Sequence, residues 1–163
     1  MTLRRVATLL LGVFMFAGLP AFAEPPVNFT GTWQLDKTRS VLPASIPSSG
    51  DMTMVIDHKG DTLKIERRAE FMGMQRIFKA TYYTDGREVS NPAPRGLTVV
   101  SKSHWEGSTL VTVSRGTKVR DGQTDESTDL KKLGEDGKVL VIDLTVKLLG
   151  KEPERAHSVY VKK

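Results

Sequence analysis

The chain has 163 residues, 39% of them hydrophobic and none of them cysteine, and its 24 basic and 19 acidic residues give a formal net charge of +5. Without cysteine it can form no disulfide and carry no lipid on a cysteine at an export site. The basic residues are scattered, with short clusters at Arg67-Arg68, Lys131-Lys132 and Lys162-Lys163. We interpret these clusters as solvated surface, because nucleic-acid binding needs a concentrated basic stripe.

The first 23 residues have the pattern of a cleavable signal peptide. Arg4 and Arg5 are followed by an apolar run over 6–19, and Ala21-Phe22-Ala23 fits the cleavage site. The apolar run is shorter than the roughly 20 residues that a transmembrane helix needs to cross the bilayer. We therefore expect cleavage after Ala23, a periplasmic or secreted protein with no stable membrane anchor, and a single mature domain over 24–163.

An acidic or polar residue followed by glycine recurs along the chain, and glycine accepts the positive φ of tight turns. The pairs are Lys59-Gly60, Asp85-Gly86, Glu106-Gly107, Asp121-Gly122 and Asp136-Gly137. Between them apolar and polar residues alternate, which is the period of a strand with one buried face. The pattern predicts a β-meander in which hairpins join successive strands.

In chain order, strands are predicted at 29–36, 52–58, 62–69, 75–84, 87–90, 97–105, 109–115, 124–133, 139–149 and 154–162, with a short strand end at 117–120. The proline-containing stretches 37–51 and 91–96 are predicted loops, and 71–74 is an apolar connection. Such a meander usually closes on itself, because closure removes both sheet edges. We predict an all-β, antiparallel up-and-down barrel of about eight to ten strands. An open sandwich has the same strand order and is the alternative.

The first strand carries Phe29-x-Gly31-x-Trp33-x-Leu35. This motif resembles the opening of the calycin superfamily, which contains the lipocalins and fatty-acid-binding proteins. Together with the meander, it is similar to the lipocalin-like small exported proteins of bacteria. The resemblance implies that Gly31 and Trp33 are structural and close one end of the barrel. It also implies a basic residue of the last strand stacked over the indole, for which Arg155 is the candidate by position.

The chain departs from two ligand-binding patterns within that superfamily. Fatty-acid-binding proteins anchor a carboxylate with Arg-x-Tyr on the last strand, where this chain has Ser158-Val159-Tyr160, and the proline-rich loop replaces their two-helix lid. Haem-binding barrels with a late histidine open with Gly-x-Trp-x-Gly-x-Gly, and those later glycines are missing here although His157 is present. The other histidines, His58 and His104, lie on separate predicted strands with no metal-ligand spacing. We expect no cofactor and no metal.

Arg67 continues the inward phase of Leu63 and Ile65 and is the predicted anchor for an acidic ligand, because a buried guanidinium needs an anionic partner. The alternative is a rim residue at the strand end. Methionine and aromatic side chains suit adaptable pockets, although a solid core needs the same residues. The candidate ligand-binding residues are Met54, Arg67, Phe78, Tyr82, Ser103, Trp105 and Tyr160.

The sequence contains no nucleophile elbow, phosphate-binding loop or paired-histidine metal helix, so we expect that the protein is not an enzyme. We expect an exported protein that binds a hydrophobic or amphipathic small molecule, whose polar end Arg67 or Tyr160 orients. One alternative is a structural module with a filled barrel, which would bind another protein through the loops at 37–50 and 91–96. A haem-binding barrel or an enzyme is a lower alternative.

Overall fold

The computed structural model describes residues 27–43, 51–71, 73–93, 97–116, 126–147 and 152–163. In these ranges the chain forms ten strands and a one-turn 3-10 helix at Glu135–Gly137. The strands are β1 (Gly31–Leu35), β2 (Met52–Lys59), β3 (Thr62–Phe71), β4 (Met74–Tyr83), β5 (Glu88–Ala93), β6 (Leu97–Glu106), β7 (Thr109–Gly116), β8 (Glu126–Gly134), β9 (Val139–Lys147) and β10 (Glu154–Lys162).

All ten strands belong to one antiparallel sheet with the order β4-β3-β2-β1-β10-β9-β8-β7-β6-β5. The first and last strands are neighbours within it, and the sheet curls into a nearly closed barrel. The predicted up-and-down barrel is therefore confirmed. The two edges of the sheet are β4 and β5, which face each other across a gap that we call the seam.

β5 extends further than the sequence predicts. Asn91 and Pro92, expected in a loop, pair with Val99 and Thr98 as part of the strand. A proline lacks the N–H that a central strand needs, but an edge strand tolerates its loss. The predicted signal peptide, the short strand end at 117–120 and the Asp121-Gly122 turn lie outside the described residues.

One end of the barrel is filled by a packed aromatic core. Trp33 is fully buried, and its indole N–H donates to the carbonyl of Phe29 at 2.9 Å. The rings of Phe29, His58 and Trp105 stack on one another, with centroids 5.8–6.2 Å apart. Trp105 therefore points inward and belongs to the core.

The cation over Trp33 is Lys162 and not Arg155. In the pairing of β1 with β10, Trp33 lies opposite Lys162, and the Lys162 Nζ is 5.4 Å from the indole centroid. Arg155 is exposed near the start of β10, opposite Thr145 of β9. The resemblance therefore indicated the correct kind of contact but the wrong residue, because the register of β10 brings its last residues, not its first, beside Trp33.

Candidate functional site

A cavity of about 450 Å³ occupies the barrel interior away from the aromatic core. This volume lies within the range of sites that bind small molecules. Apolar lining residues come from β3, β4 and β9 (Ile65, Phe78, Ala80, Leu144 and Val146) and from β5 and β6 (Pro92, Ala93, Leu97 and Val99). Polar lining residues include Arg67 from β3 and Ser101, Ser114, Ser127 and Asp129 from β6 to β8. The described side chains therefore leave this end of the barrel hollow, and the seam borders the cavity.

Arg67 lies on the cavity wall because β3 keeps its alternation to that point. It is opposite Met54 of β2 and Phe78 of β4, on the same face as Ile65. It lines the cavity, and among the described residues it makes no hydrogen bond and no ion pair, so its five N–H donors have no described acceptor. A guanidinium in such a place favours an anionic partner.

A lysine and an aspartate on β8 form an ion pair beside Arg67. The Lys131 side chain is 0% exposed, and its ammonium donates to the Asp129 carboxylate and lies 5.4 Å from the Tyr82 ring centroid. Burial lowers the pKa of Lys131, and the adjacent Asp129 opposes that shift. The interpretation of Lys131-Lys132 as solvated surface is therefore wrong for Lys131.

The interior carries an excess of positive charge near neutral pH. Burial raises the pKa of Tyr82 and of Tyr160, so both phenols are uncharged there. Burial disfavours the charge of Arg67, but the negative charges that Tyr82, Tyr160 and Asp129 carry when ionised raise its pKa overall. At neutral pH the only one of these anions is Asp129, and it already pairs with Lys131. Two cations thus face one carboxylate, and Arg67 is the unbalanced charge.

Hydroxyl groups line the interior of β6 to β8 in two rows. Ser101, Ser114 and Ser127 are register partners across the three strands, and we call them the serine row. The Ser101 and Ser114 hydroxyls are 2.8 Å apart. The second row lies two residues further along each strand and contains Ser103 of β6, Thr112 of β7 and Asp129 of β8. The Ser103 and Thr112 hydroxyls are 2.9 Å apart.

The structure brings three of the seven predicted ligand-binding residues to the cavity wall: Arg67, Phe78 and Tyr82. The other four are Met54, Ser103, Trp105 and Tyr160, which point inward but are packed outside the cavity lining. Sequence reasoning missed Asp129 and Lys131. The alternating residues Ser127, Asp129, Lys131 and Leu133 share one face of β8, and this period of two was the signal in the sequence. Hydrophobicity alone would instead place Leu130 inside, but Leu130 is exposed.

In the described part of the chain, no group of three or more histidine, aspartate or glutamate side chains is placed to hold a metal ion. His58 belongs to the aromatic stack, whereas His104 and His157 are exposed and contact Glu106 and Asp143 respectively. No helix within the described ranges has the length and apolar character needed to cross a membrane.

Comparisons with known proteins identify the fold. No protein-family model matches the sequence, and no curated protein matches it. Among solved structures, a fatty acid transporter designated REP1-NXSQ matches with a TM-score of 0.60 and 14% identity, over 83% of this chain and 96% of that one. Lipid binding protein 8 of Caenorhabditis elegans matches with a TM-score of 0.60 and 16% identity, over 83% and 95%. Human cRBP IV matches with a TM-score of 0.58 and 16% identity, over 85% and 100%. The chain therefore has a calycin-type barrel fold.

Proposed function

We propose that this protein is an exported carrier of an amphipathic organic acid, which the cavity holds with its anionic end at Arg67. The single observation that supports this proposal best is the guanidinium that faces a 450 Å³ cavity without a hydrogen-bond or ion-pair partner among the described residues. A carboxylate can accept two parallel N–H bonds from such a group. The similarity to a fatty acid transporter and a lipid binding protein is consistent with this use of the fold.

The apolar lining residues would supply most of the affinity. Ile65, Phe78, Leu144 and Val146 line the cavity, so a ligand chain lying against them leaves water. Burial of apolar surface is worth roughly 25 cal/mol per Å² before ordering costs are subtracted. The cation would then fix the orientation of the ligand. We assign this protein a binding role and no catalytic step.

Export is the second part of the proposal, and it rests on the sequence of residues 1–23. We expect the mature protein to begin at Glu24 in the periplasm or outside the cell. The mass of the protein purified from the exported fraction tests this expectation directly. Retention of residues 1–23 in that fraction would contradict it.

The binding experiment compares two arginines that are neighbours in sequence and opposite in orientation. Arg67 faces the cavity, whereas Arg68 lies on the outer face of β3, where its side chain donates to Glu66 at 2.6 Å. Titration calorimetry with hexadecanoate should show that Arg67→Met weakens binding by roughly tenfold to a hundredfold, as expected for a charge-assisted hydrogen bond worth about 1.5–3 kcal/mol. Arg68→Met should bind as the wild type does. Equal binding by the wild type and both variants, or a wild type that binds neither this acid nor a hydroxylated acid of equal chain length, would overturn the proposal.

The cavity also bears on the alternative of a filled structural barrel. That alternative requires side chains to occupy the interior, but about 450 Å³ remains open beside Arg67. Protein interiors are ordinarily close-packed, with few voids larger than a water molecule, so a structural barrel would be expected to fill this volume with side chains. The open volume therefore favours a binding role over a structural one.

A further inference from the structure

We propose that the ligand carries hydroxyl groups along one side, which bond to the serine row, in addition to the acidic end proposed for Arg67. This inference rests on the proposed function and narrows it from amphipathic acids in general to hydroxylated ones. The observation behind it is the serine row itself, which lines the cavity together with Asp129.

The serine row has unused hydrogen-bonding capacity. Each hydroxyl has one donor and two acceptor lone pairs. The contact between Ser101 and Ser114 uses one donor, so one O–H and several lone pairs of this pair remain. Ser127 makes no hydrogen bond within the described residues, although it lines the cavity. Three contiguous inward positions can therefore donate to and accept from a ligand.

Asp129 adds an acceptor to the same wall. Its carboxylate lines the cavity and receives the Lys131 ammonium, but an ionised carboxylate has about four acceptor sites. A plain alkyl chain pressed against this wall would displace water from the carboxylate and the serines and return no hydrogen bond. Buried polar groups left unpaired in this way oppose binding. A hydroxyl-bearing chain avoids that loss.

Apolar side chains lie both beside the serine row and away from it. Leu144 and Val146 of β9 lie beside Asp129 and Ser127 in register, whereas Ile65 and Phe78 line the cavity from β3 and β4, several strands away in the sheet order. A ligand with hydroxyls on one side and hydrocarbon on the other would satisfy the serine row and these apolar side chains at once. With its acid at Arg67, such a molecule has one favoured orientation in the barrel.

The test uses two acids of equal chain length: hexadecanoic acid and aleuritic acid, which is hexadecanoic acid bearing three hydroxyl groups. Affinities for both are measured by titration calorimetry on the mature protein, its triple variant S101A/S114A/S127A and the control Ser90→Ala, an exposed residue of β5. We expect the triple variant to lose about tenfold in affinity for aleuritic acid relative to hexadecanoic acid. The control should keep the wild-type ratio.

Folding of the triple variant is checked by circular dichroism. If it does not fold, Ser127→Ala alone provides the measurement, because this hydroxyl makes no described hydrogen bond that the fold would lose. For Ser127→Ala the expected loss is about threefold, again confined to aleuritic acid.

The outcomes separate the two proposals. If the serine variants leave the ratio of the two affinities unchanged while Arg67→Met still weakens both acids, the hydroxyl inference is overturned and the carrier function remains. If the wild type binds neither acid, or Arg67→Met binds both acids as the wild type does, the proposed function fails, and this inference fails with it. A loss limited to aleuritic acid in the serine variants supports both.

Discussion

Asn91 of β5 is bonded to the backbone of Thr81 on β4 in both directions. Its side-chain oxygen accepts from the Thr81 N–H at 2.8 Å, and its side-chain nitrogen donates to the Thr81 carbonyl at 2.8 Å. The amide thus reproduces across the seam the pair of bonds that one residue exchanges with its neighbour in an antiparallel ladder. Asn91 is itself buried, whereas Thr81 is half-buried.

Asn91→Ala should destabilise the protein by about 1–3 kcal/mol, because two half-buried backbone groups of Thr81 lose their partners. Urea unfolding measures the loss, and hydrogen exchange should show faster exchange of the Thr81 amide than in the wild type. Asn91→Asp is the matched control for the acceptor half of the contact: the Thr81 amide should stay protected while the carbonyl loses its donor. Wild-type protection of Thr81 in the alanine variant would show that the bridge has no role in holding the seam.

Lys131→Met should weaken binding of hexadecanoate by about tenfold, even though Lys131 does not line the cavity. Without the ammonium, Asp129 is free to neutralise Arg67, so the interior loses its excess positive charge. The double variant D129N/K131M removes the competing carboxylate as well and should restore most of the affinity. Titration calorimetry on the three proteins measures this. A double variant as weak as the single one would show that Lys131 acts through packing and not through charge.

The stability of the filled end should depend on His58. Burial lowers the pKa of His58 from the ordinary 6.5, with the Gly60 backbone and Asp61 opposing the shift, and its Nδ1 accepts the Phe29 N–H at 3.4 Å. The unfolded chain then binds more protons than the folded one, so the free energy of unfolding falls as the pH drops below about 6.5. His58→Phe, which keeps a ring in the stack, should flatten this part of the curve.

Urea unfolding at several pH values checks the His58 prediction. The pKa values of Asp36 and Glu66 are lowered from 3.8 and 4.5, mainly by hydrogen bonds from Thr38 and Arg68 respectively. These two carboxylates stabilise the folded protein above their ordinary pKa values, and this stabilisation is lost at lower pH. The loss therefore occurs at lower pH than the onset of the His58 effect near 6.5. An unchanged slope just below pH 6.5 in the phenylalanine variant would exclude His58 as its cause.

Gly31→Ala should cost about 1–3 kcal/mol of stability, because Gly31 has a φ of 154° that a residue with a Cβ rarely adopts. The added Cβ would also lie 2.7 Å from Lys162 Cε and would push this side chain from its place over Trp33. In a Lys162→Ala background the crowding is gone but the backbone strain persists. We therefore expect the cost of Gly31→Ala, measured by urea unfolding, to shrink but not vanish there.

Much of the fold was predictable because strand pattern and turn chemistry are local properties. The alternation in 62–69 predicted Leu63 and Ile65 on the inner face, and the glycines at 60, 86, 107 and 137 all have positive φ. Only the second half of β5 was missed, because Asn91-Pro92 is a loop signal in sequence. Its strand conformation depends on a partner strand and on the contact with Thr81, which are both tertiary.

The site was only partly predictable for the same reason. The inward position of Arg67 followed from an unbroken alternation along β3. Lys131 could not be placed by hydrophobicity, because burying a lysine is favourable only with an anion beside it, and Asp129 supplies that anion through the geometry of the folded barrel. The distinction between a hollow and a filled interior likewise depends on how ten strands close, which no single strand encodes.

The strand order divides the barrel into two shells, β1 to β4 and β5 to β10, that meet along two lines. Along one line β1 and β10 share a ladder with three register pairs, and along the other the Asn91 amide is the described hydrogen-bonded bridge. The connection Thr84–Arg87 ties the shells together near the filled end, whereas Phe78 and Ala93 border the cavity at the other. The line between β4 and β5 is therefore held by a side-chain contact where the line between β1 and β10 is held by a ladder. We expect a ligand to reach the cavity by separation of β4 from β5, through the side of the barrel and not through its end.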